Sequence, residues 1–176
     1  ENGGALGFRD VSHAAMSVPD WAPGTGSYEQ DLGDLDDDGD LDIYGTNWGT
    51  VAGPCDEVLF NLGGIYDAPI LVTNSCKRDN EPDFIDYDGD GDLDLFIASE
   101  TALEGLYENL GAAGGWGLVD QPGELPSGVD TTALGADTAD VDQDGDYDVF
   151  VANDAVEHRH VIVAKDAEHP PDARRA

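Results

Sequence analysis

The sequence predicts an all-β fold built from tandem units, each a small antiparallel sheet. Three observations carry that expectation. A nine-residue acidic pattern occurs three times, at offsets of 52 and 54 residues. A short apolar, β-branched or aromatic run of strand length follows each copy. Gly and Pro, 23 and 9 residues, punctuate the segments, and no stretch keeps an apolar period of 3.6 residues.

Each element follows from a local pattern. The acidic copies are Asp34-Leu-Asp36-Asp-Asp38-Gly39-Asp40-Leu-Asp42, Asp86-Tyr-Asp88-Gly-Asp90-Gly91-Asp92-Leu-Asp94 and Asp140-Val-Asp142-Gln-Asp144-Gly145-Asp146-Tyr-Asp148. The runs Ile43 to Asn47, Leu95 to Ser99 and Val149 to Asn153 read as the strands that leave them. A second strand recurs downstream as Val58 to Gly63, Leu106 to Gly111 and, more weakly, Val161 to Asp166. A closing element, Gly115-Trp-Gly-Leu-Val-Asp120, matches Gly7-Phe-Arg-Asp-Val-Ser12 near the start. In the first unit that element has no clear place between Ile65 and Asn74. The expected organisation is therefore residues 1–26 as the tail of a preceding repeat plus linker, 27–80 as repeat 1, 81–135 as repeat 2, 136–166 as an incomplete repeat 3, and 167–176 as a disordered tail. Four-stranded antiparallel blades of a β-propeller, about three of them in an incomplete ring, fit short strands in units of ~50 residues.

The acidic copies have the chemistry of a hard-cation loop. Ca²⁺ takes 6–8 oxygens at ~2.3–2.6 Å. In an extended strand alternate carboxylates stand ~7 Å apart, so the chain must curl to gather them. Glycine at position 6 (Gly39, Gly91, Gly145) permits that turn at positive φ. Positions 1, 3, 5 and 9 would give carboxylates: Asp34, Asp36, Asp38 and Asp42; Asp86, Asp88, Asp90 and Asp94; Asp140, Asp142, Asp144 and Asp148. Backbone carbonyls of Asp40, Asp92 and Asp146 at position 7 would complete each set, for about three ions in all. An EF-hand loop shares the opening acids but needs a bidentate Glu at position 12 and helices on both sides. Position 12 here is Gly45, Ile97 or Val151. Bare acidic turns are the other reading. They would crowd sixteen carboxylates into three windows holding no Lys or Arg, which is costly without a counter-charge.

These units resemble FG-GAP/VCBS repeats, the blades of integrin-α-like β-propellers, over roughly residues 2–166. In that family a D-x-D-x-D-G-x-x-D loop links the first two strands of a blade and holds Ca²⁺. The family also favours Leu-Tyr-x-Asn-x-Gly and Gly-x-Phe-x-Asp-Val strands, and Leu106 to Gly111 and Gly7 to Val11 are close to them. The Phe-Gly…Gly-Ala-Pro signature is not clear here. Such rings usually hold about seven blades, so three imply further repeats in the parent chain or an oligomer. The resemblance implies a secreted or cell-surface, non-catalytic module that binds an extracellular protein or glycan in adhesion. The alternative is an accessory region of a secreted enzyme, such as a polysaccharide-degrading one. Simple calcium buffering would need no partner.

Composition excludes several classes. Asp and Glu number 39 against 7 Lys and Arg, for a net charge of -32. Nucleic-acid binding needs a basic footprint, and seven scattered cations do not make one. The longest apolar runs are four residues, far from the ~20 of a membrane-spanning helix, so no membrane insertion is expected. No signal peptide is visible, and the chain reads as a mature product or an excised fragment. Cys55 and Cys76, the only cysteines, suggest one disulfide in an oxidising compartment. His158, His160 and His169 lack the ligand set of a zinc site. A glycosidase pair of carboxylates is singular, whereas these acids repeat, so no catalysis is expected. Glu100, Glu104 and Glu108 are spaced like a helix face, but Gly105 and Leu106-Tyr107 favour loop and strand. Trp21, Trp48 and Trp116 each sit beside Gly or Pro, or near them, and read chiefly as wedges between blades.

Overall fold

A computed structural model describes residues 12–15, 27–48, 55–100, 104–111, 116–125, 132–141, 143, 145–153 and 160–163. Apart from one helical turn, α1 (Ser12–Ala15), the described elements are strands. They are β1 (Ser27–Gly33), β2 (Asp42–Asn47), β3 (Glu57–Leu59), β4 (Ile70–Leu71), β5 (Asp79–Ile85), β6 (Asp94–Ser99), β7 (Gly105–Asn109), β8 (Leu118–Asp120), β9 (Ala133–Ala139), β10 (Asp148–Asn153) and β11 (His160–Val163).

The strands form two four-stranded sheets, β1-β2-β3-β4 and β5-β6-β7-β8, and a three-stranded one, β9-β10-β11, all antiparallel and all meandering in chain order. This is the all-β fold of tandem antiparallel sheets that the sequence predicts, consistent with blades of an incomplete propeller. The closing strand of the first unit is β4, two residues long with both exposed, which explains its weak sequence signal. Of the expected N-terminal tail only Ser12–Ala15 is described; the C-terminal tail and the histidine cluster, apart from the backbone of His160, lie outside the described residues.

Register shows that the sheets are copies. Asp31 pairs with Tyr44, Asp83 with Phe96 and Asp137 with Phe150. Strand alternation then gives each sheet one face toward the preceding sheet and one toward the next. Tyr44 and Val58 of the first sheet meet Leu95, Ile97 and Tyr107 of the second. Phe96 and Ala98, on the opposite face of β6, meet Val149 and Val151 of the third. β6 is buried along its whole length because sheets cover both its faces. Fully burying side chains of this size contributes roughly 1.5–3 kcal/mol each.

Polar bonds set the stacking. Thr46 Oγ1 donates to the carbonyl of Asn80 at 3.0 Å, and Asn80 Nδ2 donates to that of Ala133 at 2.6 Å. The Glu81 carboxylate accepts from the Ala136 N–H at 3.0 Å. At the end of β1 a Cβ on Gly33 would stand 2.8 Å from the Phe84 ring, so glycine lets the first two sheets approach. The Trp116 ring meets that of Phe60 edge-on, centroids 4.6 Å apart, and thereby wedges the second sheet against the first. Trp48 is different: it is 46% exposed, with Arg78 5.3 Å from its ring centroid and its indole N–H donating to Glu100. Trp21 lies outside the described residues. The Cys55–Cys76 disulfide ties the lead-in of β3 to the segment before β5.

Candidate metal centre

The three acidic segments are the turns between the first and second strands of each sheet. Two left-handed residues fold each turn. Position 6 has φ of 93° at Gly39, 95° at Gly91 and 106° at Gly145. Position 4 is left-handed as well, at Asp37 (58°), Gly89 (77°) and Gln143 (66°). These reversals bring the chain back on itself so that carboxylates spaced along it converge.

Position 1 fastens the turn from inside. Its carboxylate accepts from the position 6 N–H in all three copies: Asp34 from Gly39 at 3.0 Å, Asp86 from Gly91 at 3.2 Å, and Asp140 from Gly145 at 3.2 Å. Position 9 fastens it from outside. Asp42, Asp94 and Asp148 accept from the N–H of Leu35, Tyr87 and Val141 at 2.9, 3.0 and 2.9 Å. The other oxygen of Asp42 accepts from the Asn61 N–H, and that of Asp94 from the Asn109 N–H, both at 2.8 Å. The Asn109 amide donates onward to the carbonyls of Leu93 and, across to the first sheet, Leu35. Asn61 and Asn109 were not singled out as site residues by sequence reasoning. Their recurrence in the Phe-Asn-Leu-Gly and Glu-Asn-Leu-Gly segments was the available signal.

Among the described residues, two groups of three carboxylates have ligand atoms within 4.8 Å of one another: Asp34, Asp36 and Asp42, and Asp86, Asp88 and Asp94. Either group could hold a metal ion. They correspond to positions 1, 3 and 9. Position 5 stands apart, since Asp38 and Asp90 accept from the N–H of Asp40 and Asp92, each at 2.9 Å. The side chains of Asp40 and Asp92 at position 7 belong to neither group. In the third turn Asp140, Asp146 and Asp148 are described, whereas Asp142 and Asp144 lie outside the described residues.

The electrostatics leave these groups short of positive charge. Burial pushes the Asp42 carboxyl up and that of Asp94 up to about 7, against backbone N–H bonds that pull both down. Burial likewise raises Asp36 and Asp88, with neighbouring carboxylates adding to it. Asp36 Oδ1 is buried and has no hydrogen-bond partner. A buried carboxylate oxygen without a donor is costly unless something cationic meets it. Position 9 opens a strand in every copy, so no helix follows the turn as an EF-hand requires.

Residues 86–151 match the family described as FG-GAP-like repeat. That segment runs from the second acidic turn to the middle of β10 and is less than half of the chain. No curated protein and no solved structure matches the chain. The match covers a β-propeller-type repeat, in keeping with the sheets around it.

Proposed function

We propose that the chain is a calcium-stabilised, non-catalytic repeat module of a secreted or cell-surface protein. The observation that carries this reading is the convergence of Asp34, Asp36 and Asp42, and of Asp86, Asp88 and Asp94, with the donor-less Asp36 oxygen among them. Two oxygens bound to one Ca²⁺ at ~2.3–2.6 Å stand at most ~5 Å apart, which suits the observed spacing. An all-oxygen donor set favours a hard cation over zinc or copper. When bound, the ion would neutralise the converging acids. Asp42 and Asp94, the first residues of β2 and β6, would then tie it to those strands and, through the N–H groups of Asn61 and Asn109, to the segment after β3 and to the end of β7. The third turn, with the same position 1 and 9 bonds, would take a third ion.

The disulfide supports an oxidising compartment. No helix among the described residues is long and apolar enough to cross a membrane. The partner would be an extracellular protein or glycan, bound on loops that a rigid stack of sheets presents. The exposed Trp48 ring, with Arg78 and Glu100 beside it, is the surface best suited to such a contact. Further repeats or a second copy would extend the arc of sheets. The test is calcium titration of the chelator-treated protein, alone and as Asp36→Ala. Saturable uptake that falls by one equivalent in the variant supports the reading, and unaltered uptake refutes the ligand assignment. Binding to glycan or matrix-protein arrays with and without Trp48→Ala tests the partner.

A further inference from the structure

The first two sheets also meet at a pair of acids that the acidic turns do not use. Asp56, just ahead of β3, and Asp79, the first residue of β5, are 0% and 2% exposed. Their carboxyl groups face each other closely enough that each acts on the other's ionisation. Two ionised carboxylates buried side by side repel and can only accept, so the arrangement favours a proton on one of the two. The pair cannot easily part. The Asp56 N–H donates to Ser75 Oγ at 2.8 Å, and the Cys55–Cys76 disulfide holds the flanking segments together. On the other side, Asp56 accepts from the Asn47 N–H at 2.7 Å and from the Tyr44 hydroxyl at 3.0 Å. Asp79 Oδ2 is buried with no hydrogen-bond partner, so a negative charge on Asp79 would be left incompletely bonded there.

We propose that Asp56 and Asp79 form a proton-binding joint between the first and second sheets, closed while the pair holds one proton and loosened when alkaline solution removes it. The groups facing it leave little else to neutralise that charge. They are Tyr44 on β2, Glu57 on β3, Ser99 on β6 and Tyr107 on β7, with Asp120 of β8 beyond Tyr107, and Lys77 on the approach to β5. Burial is the largest influence on both acids and raises both; against it, Ser99 and then Lys77 lower Asp79, and the Asn47 N–H and Tyr44 hydroxyl lower Asp56. The proton belongs to the pair and not to either residue. The sign follows from that direction. The unfolded chain releases its carboxyl protons near pH ~3.9, whereas the folded pair keeps one to higher pH. The joint therefore supports the fold fully at the acid end, and its support declines as pH rises.

The test is the melting temperature of the calcium-saturated, disulfide-intact chain between about pH 5 and pH 9, for the parent and for Asp79→Asn. An asparagine amide can donate to Asp56 without titrating. The variant should match the parent at the acid end and exceed it at the alkaline end by ~3 °C or more. An identical pH slope in parent and variant overturns the proposal. If Asp79→Asn does not fold, the assigned carboxyl ¹³C resonances of Asp56 and Asp79 in the parent decide the matter. Linked titration displaced above the usual carboxylate range supports the joint. Independent titration within that range overturns it.

Discussion

Asp42, Asp94 and Asp148 each close a turn and open a strand. Every one reaches back to the position 2 N–H, and the first two also reach across to an asparagine backbone. The same side chain that would bind an ion therefore fixes where β2, β6 and β10 begin. The turn depends equally on its left-handed residues. A Cβ on Gly39 would touch nothing within 4 Å, so a substitution there acts through backbone conformation alone. Gly39→Ala should cost ~1–2 kcal/mol in urea unfolding. Gly123→Ala, where the Cβ also meets nothing and φ is not left-handed, should change stability by less than ~0.5 kcal/mol. Equal effects at the two sites would contradict the conformational account. The positive φ at position 6 was legible from the repeated glycine. That at position 4 was hidden, because Asp37 and Gln143 stand there beside Gly89 and no single residue type marks the site.

At the scale of the element, the strands after each acidic turn were legible because both their register and their apolar content repeat. The strand β4 was not, since its two exposed residues carry no burial pattern. Asn109 shows what the motif strand contributes. Its amide holds the carbonyls of Leu35 and Leu93, and its Oδ1 accepts from the Gly111 N–H. Asn109→Ala would leave those buried groups unsatisfied and should cost ~2 kcal/mol, lowering the melting temperature by ~4–8 °C. Asn61→Ala should cost ~1 kcal/mol or less, because the Asn61 amide bonds to Leu41 within its own sheet at an exposed site. A larger loss at Asn61 than at Asn109 would show that the bond across the seam adds little. Trp116 fits the expectation of a wedge, whereas Trp48 stands on the surface. Sequence could not separate them, because a glycine or proline neighbour says nothing about which sheet will lie opposite.

Across the whole molecule, stacking of successive sheets concentrates acids as well as apolar groups. Asp83, on β5, is pushed up to about 7 by burial first and then by Glu81, Asp31 and Asp137. Its raised value means that folding retains a proton from the usual carboxylate range up to about pH 7, so stability falls as pH rises through that interval. Asp83→Asn should flatten that part of the melting-temperature profile and raise the melting point at about pH 8. A profile as steep as the parent's would show that Asp83 ionises freely in the folded chain. The seams that create this burial were not readable from spacing, since they join residues as far as 34, 53 and 74 positions apart. Calcium, if it fills the turns, acts on the whole stack. At a free concentration about tenfold above Kd it would add ~1.4 kcal/mol per site. Chelation should then lower the melting temperature by several degrees, and an unchanged melt would favour bare acidic turns.

The most direct measurement is the number of calcium ions taken up by the 176-residue chain in titration calorimetry, beside that of Asp36→Ala/Asp88→Ala. The account predicts about three ions for the parent and about one for the double variant. No saturable heat, or the same number of ions in both proteins, would contradict it.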